Sequence, residues 1–387
     1  MKKAISLLLA ALMILAALPV LAEPAEALAP AFSASLTEIQ KYGNVVLDGK
    51  ASDLLNAGFA YGDVVDVTVN GQTFRMPIGS NYSDVDQGSM ICRAVYKEET
   101  AEDYVLVAIN MGDFATTAGI ATKEKIEEEP GYVWHFNEGV ETPVAFTIEM
   151  AEQGGYYDSW VIHQLVRSEK REDYPELSDA EYANFRMVAT TGVGEGKLYR
   201  SSSPVNPEIN RNHEADAAAK EAGVKTFVNL ADNDATMRAY EGFADTYYAG
   251  QQIITLNLGV DFAADDFKAG LANGIRFIAA NEAPYLVHCN EGKDRAGFTS
   301  AMLECLMGAS ADEVVADYMV TYYNYYGVKP EEDRYQIIAN SNIKKSLATA
   351  FGVETIDGID LAAAAEQYLL AIGVSAEDIA QVRENLK

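Results

Sequence analysis

The hydrophobic period of this chain changes once, near residue 170, and that change limits the fold to two dissimilar parts in series. Before it, apolar residues alternate over short runs. Val65, Val67 and Val69 alternate with Asp66 and Thr68, Asn70-Gly71 is a two-residue hairpin signal, and residues 72–78 return. Strands are also expected over 44–47, 91–96, 104–109, 132–136 and 144–150, punctuated by Gly, Asn and Asp, the pattern of a small all-β barrel or sandwich. Residues 168–179 are charged and contain Pro175, which suits a boundary. Beyond it, short apolar strands at 225–230, 253–258 and 285–289 are separated by helical stretches such as 265–281. That order predicts an α/β domain, a central and largely parallel sheet flanked by helices. Ser310 with Glu313, and Ser375 with Asp378, have the spacing of capping boxes at the start of two later helices.

The 387 residues suit two domains and a leader. Acidic residues outnumber basic ones 58 to 29, for a formal charge of −29 spread along the chain. Such a surface disfavours nucleic acid and anionic lipid as general partners. Cys92, Cys289 and Cys305 are too few and too dispersed for a disulfide framework or a zinc site. At the start, Lys2 and Lys3 precede an apolar run over 4–18, and Val20-Leu21-Ala22 offers a cleavage site before Glu23. The expected organisation is a signal peptide over 1–22, a linker over 23–34, an all-β accessory domain over 35–167 and an α/β domain over 168–387. An uncleaved anchor over 5–22 is the alternative, which Pro19 disfavours. The reading implies a secreted or cell-envelope bacterial protein with no stable membrane span after signal cleavage.

The most informative stretch runs from His288 to Gly297, between the strand at 285–287 and a helix whose apolar stripe is Phe298, Ala301, Met302, Cys305 and Leu306. A cysteine at the end of a strand, a five-residue loop and an arginine opening a helix make an anion cradle. Backbone N–H groups turn inward and the helix N-terminus adds its positive end. Gly292 supplies the positive φ that a tight wrap needs, and Arg295 can hold two phosphate oxygens at once. The same field favours Cys289 as thiolate, positioned for in-line attack on a bound phosphoryl group. Lys293 is followed by Asp294 rather than Ser or Thr, so the loop is not a nucleotide-binding P-loop. Cys305 lies about 15 Å along the helix from Arg295, too far to act as a resolving thiol.

This stretch resembles the His-Cys-x5-Arg signature of cysteine-dependent tyrosine phosphatases, and within them the bacterial tyrosine/lipid phosphatases with a His-Cys-x-x-Gly-Lys-Asp-Arg-Thr-Gly loop. Asn184-Phe185-Arg186, the run from Gly196 to Ser202, Ala316-Asp317-Tyr318 and the last helix, residues 374–386, resemble other parts of that family. The resemblance implies that Cys289 is the nucleophile and Arg295 the phosphate and transition-state clamp. It places His288, Asn290, Glu291, Gly292, Lys293, Asp294 and Ala296 around the bound phosphate, with Lys293 suited to a phosphoinositide ring. It departs from the pattern in three places. Ala296 replaces a Thr or Ser whose hydroxyl steadies the thiolate, Met187-Val188-Ala189 replaces an aspartate- and glycine-bearing stretch, and Asn229-Leu230-Ala231-Asp232 lacks the arginine of an Asp-Leu-Arg motif.

A general acid must protonate the leaving oxygen. Asp261 is the expected one, a short turn beyond the strand at 253–258 and on the sheet edge that carries the loop, with Asp232 in reserve. Asp265 is expected to cap the helix that follows. The tyrosines Tyr318, Tyr322, Tyr323, Tyr325 and Tyr326 are expected to form a helix-packing face. No metal or organic cofactor is expected, because the loop itself neutralises the phosphate. In the first part, Lys41-Tyr42-Gly43-Asn44, Gly62-Asp63 and Ile109-Asn110-Met111-Gly112 resemble the C-terminal barrel of S-adenosylmethionine hydroxide adenosyltransferases. The expected function is an exported phosphomonoesterase acting on phosphotyrosine protein or on an inositol phosphate or phosphoinositide. A phosphate-ligand binder with turnover impaired by Ala296 is the rival, and a working barrel with a phosphatase-like scaffold is the third reading.

Overall fold

Val65, Val67 and Val69 point into a closed barrel and are buried, while Asp66 and Thr68 face outward. The computed structural model describes residues 30–387, so the expected signal peptide and most of the linker lie outside the described residues. The first strands are β1 (Ala31–Ile39), β2 (Val45–Leu47), β3 (Val64–Val69), β4 (Gln72–Gly79) and β5 (Met90–Lys97). They are followed by β6 (Glu102–Ile109), β7 (Ala121–Lys125), β8 (Tyr132–Phe136) and β9 (Ala145–Glu152). The barrel runs β1-β2-β6-β5-β4-β3-β9 and closes through antiparallel pairing of β1 with β9, and β7 and β8 form a separate hairpin. Asn70 and Gly71 both have positive φ, 50° and 71°, the backbone of a tight hairpin turn that matches strand twist.

Strand β1 begins inside the stretch expected to be linker. Ala31, Ser33, Ala34 and Ser35 are small and carry little apolar contrast, yet this segment pairs with β9 on one side while residues 36–39 pair with β2 on the other. Helices α1 (Ala51–Asn56) and α2 (Phe114–Thr117) plug the barrel, with Leu54 and Phe114 fully buried. Helix α3 (Tyr157–His163) ends this part. Its Trp160 Nε1 donates to Asp84 Oδ2 at 3.2 Å, and Gln164 Nε2 donates to Oδ1 at 3.0 Å. Ile162 and Leu165 pack instead on the downstream core, so this segment is held from both sides.

Downstream, α4 (Asp179–Tyr182), β10 (Arg186–Met187), β11 (Leu198–Ser201), α5 (Asn212–Glu221), β12 (Thr226–Asn229), α6 (Asp234–Ala239) and β13 (Gln252–Thr255) follow in turn. Then come α7 (Asp265–Ala280), β14 (Tyr285–His288) and α8 (Asp294–Met307). The chain finishes with α9 (Ala311–Tyr326), α10 (Asp333–Ala339), α11 (Lys345–Phe351), α12 (Leu361–Ala371) and α13 (Ala376–Leu386). The sheet order is β10-β11-β14-β12-β13, parallel throughout except for the short edge strand β10. Strand β14 is central, and Ser201, His288 and Asn229 stand in register at the carboxyl edge.

The pleat sends Val228 and Val287 to one face, where they pack with α7, α8 and the C-terminal helices, and Phe227 and Leu286 to the other, with Tyr248 and Met237. Helix α8 is buried from Ala296 to Leu306, so its position comes from packing on all sides rather than from an amphipathic stripe. Ser310 and Glu313 form the expected capping box at α9. Ser375 accepts from the Asp378 N–H, but the reciprocal bond joins the two side chains. Asp265 does not cap α7. It is the first helical residue, after Ala264 at the cap, where its charge still meets the positive helix end.

Candidate active site

Cys289 follows the last residue of the central strand and is almost fully buried, with a free thiol. The loop from Cys289 to Lys293 then turns into α8. What shapes it is the fate of its carbonyls. Asn290 O accepts the Ser203 N–H at 3.0 Å, Glu291 O accepts the Tyr325 hydroxyl at 2.7 Å, and Gly292 O accepts Arg200 Nη2 at 2.9 Å. Asn184 Nδ2 donates to Glu291 O at 3.1 Å. With the carbonyls tied to surrounding elements, the backbone N–H groups of Asn290 to Arg295 have no acceptor among the described residues. They are free donors next to the N-terminus of α8, where an anion is favoured. Gly292 has φ +68°, and a Cβ there would stand 2.1 Å from Ser201 O, so only glycine lets the loop approach β11 this closely.

A buried charge network supports this loop. Asp317 of α9 accepts from Arg186 Nε at 2.9 Å and from Arg200 Nη1 at 2.7 Å, and Arg200 reaches on to Gly292 O. Burial acts to raise the Asp317 carboxyl, but the two guanidiniums outweigh it and hold it below its ordinary range. Glu304 lies beside them, fully buried with both carboxylate oxygens unpartnered. Burial, with Asp317 nearby, pushes its pKa well up, so it sits in the core as a neutral acid. Sequence reasoning singled out these motif segments without finding the network. Asp317 is more than a hundred positions from both Arg186 and Arg200 along the chain, and only their opposite charges inside apolar surroundings hint at pairing.

The loop side chains divide by task. His288 is fully buried, its Nε2 lies 3.1 Å from the Tyr248 hydroxyl, and burial lowers its pKa to about 4, so the ring is neutral at working pH. Arg295 Nη1 donates to Leu258 O at 2.9 Å and its buried Nε has no partner. Lys293, expected to face substrate, is engaged within the loop: its Nζ lies 3.0 Å from Glu291 Oε2 and 3.8 Å from Asp294 Oδ2. Burial opposes its charge, but Asp294 and Glu291 outweigh burial and raise its pKa. Glu291 is also paired with Arg167, at 2.8 Å, so the segment joining barrel and sheet touches the loop directly. Burial raises the Asp294 carboxyl. Asn290 Nδ2 reaches Glu208 at 3.3 Å, and Ala296 is buried in the first turn of α8.

The two acid candidates differ. Asp232 is buried with both oxygens occupied, by the Tyr240 hydroxyl at 2.8 Å and Asn229 Nδ2 at 3.0 Å. Asp261 is exposed and accepts only the Ala263 N–H, at 3.0 Å. Its segment is pinned to α8 at both ends: Leu258 O receives Arg295, and Phe262 stacks on Phe298 with centroids 4.5 Å apart. Most of the tyrosines of α9 pack as expected. Tyr318, Tyr322 and Tyr325 are buried and Tyr323 is exposed.

Two family models match separate stretches of the chain. Residues 37–127 match the C-terminal domain of SAM hydroxide adenosyltransferases, and residues 181–387 match the tyrosine phosphatase family. No curated protein matches the chain. Among solved structures, P. aeruginosa TpbA in complex with pTyr is 18% identical, over 51% of this chain and 94% of that one, with a TM-score of 0.31. The core catalytic domain of the PP-IP phosphatase SIW14 from S. cerevisiae, in complex with citrate, is 20% identical over 43% and 91%, with a TM-score of 0.27. An uncharacterized conserved protein from Thermotoga maritima is 17% identical, over 31% of this chain and only 36% of its own, with a TM-score of 0.23. The phosphatase match spans more than half of the chain and holds Cys289 and Arg295 within it, and on that footing the chain belongs to the tyrosine phosphatase family and is a phosphatase.

Proposed function

We propose that the protein is an exported phosphomonoesterase that works through a cysteinyl-phosphate, with Cys289 as nucleophile, Arg295 as clamp and Asp261 as general acid. The observation that carries this reading is the run of backbone N–H groups after Cys289, from Asn290 to Arg295, left without acceptors among the described residues while the loop carbonyls bond Ser203, Tyr325, Asn184 and Arg200. Preorganised donors of this kind stabilise the charge of a phosphoryl group in transfer without reorganising. In the first step the Cys289 sulfur bonds phosphorus, the bond from phosphorus to the leaving oxygen breaks, and that oxygen takes the Asp261 proton. In the second, water attacks phosphorus, Asp261 accepts its proton, the sulfur–phosphorus bond breaks and inorganic phosphate leaves. Arg295 exchanges its bond to Leu258 O for the phosphate oxygens. His288 stays neutral behind the loop and keeps Cys289 in place. Export follows from the Lys2-Lys3 start and the apolar run after it, and makes the cell envelope or the medium the place of action.

Asp261→Asn tests the acid. With a phosphomonoester whose leaving group is a poor one, kcat is expected to fall about 10²-fold, and with a good leaving group by much less. Equal loss on both substrates would mean that Asp261 acts on structure rather than as proton donor. No loss on either would remove it from the mechanism.

A further inference from the structure

A cavity of about 360 Å³ opens beside the Asp261 segment, walled by the start of α7 and by residues of α11 and α12. Two lysines line it, Lys268 of α7 and Lys345 at the start of α11. The neighbouring Lys344 pairs with Asp357 at 2.7 Å, outside the cavity. Among the described residues, Lys268 and Lys345 enter no ion pair, and Asp261 is the one carboxylate in the cavity wall. Tyr368 supplies an independent sign of a ligand. It is 7% exposed, and its hydroxyl is buried without a hydrogen-bond partner. Burial pushes that phenol up to about 12, so it remains a donor at working pH. Buried donors are almost always paired, and Tyr368 is one of the residues of the cavity wall that also holds Lys268 and Lys345. The chain over Asn340–Lys344 is π-helical, and Ser341 within it and Lys345 just after it both line the cavity.

The cavity is tied to the loop. Leu258 O holds Arg295, and Asp261 stands three residues further, at most about 11 Å of extended chain. Phe262 lines the cavity and stacks on Phe298, one turn beyond Arg295. We propose that this cavity is a second phosphate subsite, in which Lys268, Lys345 and the Tyr368 hydroxyl bind a further phosphoryl group of the molecule whose scissile phosphate sits over Cys289. This rests on the phosphatase reading above and narrows its substrate to a polyphosphorylated compound, as a soluble inositol polyphosphate or a phosphoinositide headgroup. Lys293, neutralised by Glu291 and Asp294, leaves that selection to the cavity.

The test compares kcat/KM for inositol hexakisphosphate, for phosphoinositide vesicles, for a phosphotyrosine peptide and for an aryl monophosphate, using the full chain. In Lys268→Ala/Lys345→Ala the ratio of polyphosphorylated to monophosphorylated activity is expected to fall at least tenfold. Tyr368→Phe, which removes only the hydroxyl, lowers the same ratio several-fold. A fall seen with the soluble compound or with vesicles alone supports the subsite and identifies its source. An unchanged ratio overturns it, as does a wild-type preference for the phosphotyrosine peptide over every polyphosphorylated compound. Calorimetric binding of inositol hexakisphosphate to Cys289→Ser protein separates the two readings. Should wild type release no phosphate from any substrate, the phosphatase mechanism fails, and the subsite stands only if the lysine changes weaken that binding tenfold or more.

Discussion

Cys289→Ser is expected to lower phosphate release from an aryl phosphate by on the order of 10⁴-fold or more, while binding of the same ligand changes little. A serine hydroxyl beside the same donors stays protonated near neutral pH and is a far weaker nucleophile than a thiolate. The amide ring and Arg295 are untouched by the change, so the anion still finds its site. Cys289 is 3% exposed, and serine is close to it in size, which keeps the loop folded. Steady-state release and calorimetric binding together check this. If the variant kept more than a tenth of wild-type turnover, chemistry would run through another group. If wild type turned nothing over and both proteins bound alike, Ala296 would mark a phosphate-ligand binder instead.

The second large effect is on stability. Arg200 is fully buried, bridging Asp317 and the Gly292 carbonyl. Arg200→Met leaves Asp317 with Arg186 alone and beside the unpartnered Glu304, and removes one anchor of the loop. Breaking a buried pair in this way costs about 3–5 kcal/mol. For a domain of this size that corresponds to a fall in Tm of roughly 6–20 °C, read by calorimetry. Arg200→Lys keeps the charge but cannot fork between carboxylate and carbonyl, so it is expected to fall between the two. A Tm for Arg200→Met within about 2 °C of wild type would show that the network does not hold the phosphatase region together.

How much of this was legible follows the range of each signal. The hairpin at Asn70-Gly71 and the strand carrying Cys289 are local, and both stand where the sequence pattern puts them. The loop signature is likewise local, ten consecutive residues whose backbone course depends on Gly292 and the helix that follows. Strand β1 was not legible, because Ala31, Ser33 and Ala34 are small and only pairing with β9 and β2 makes the segment a strand. Long-range charge pairing escaped entirely, since Asp317 meets Arg186 and Arg200 only after α9 folds across the sheet. Lys293 shows the opposite difficulty. Its charge was evident, but Glu291 and Asp294, two and one positions away, consume it. Lys268 and Lys345, 77 positions apart, carried no pattern at all until the cavity brought them together.

The measurement closest to the central claim is a trap of the phosphoenzyme. Wild-type protein quenched in acid during turnover is digested, and the peptide containing Cys289 is weighed. The account predicts one phosphoryl group on that peptide, carried by the sulfur and absent from Cys289→Ser. Turnover with no phosphoryl group on Cys289 at any quench time, or with the group on another residue, would contradict it.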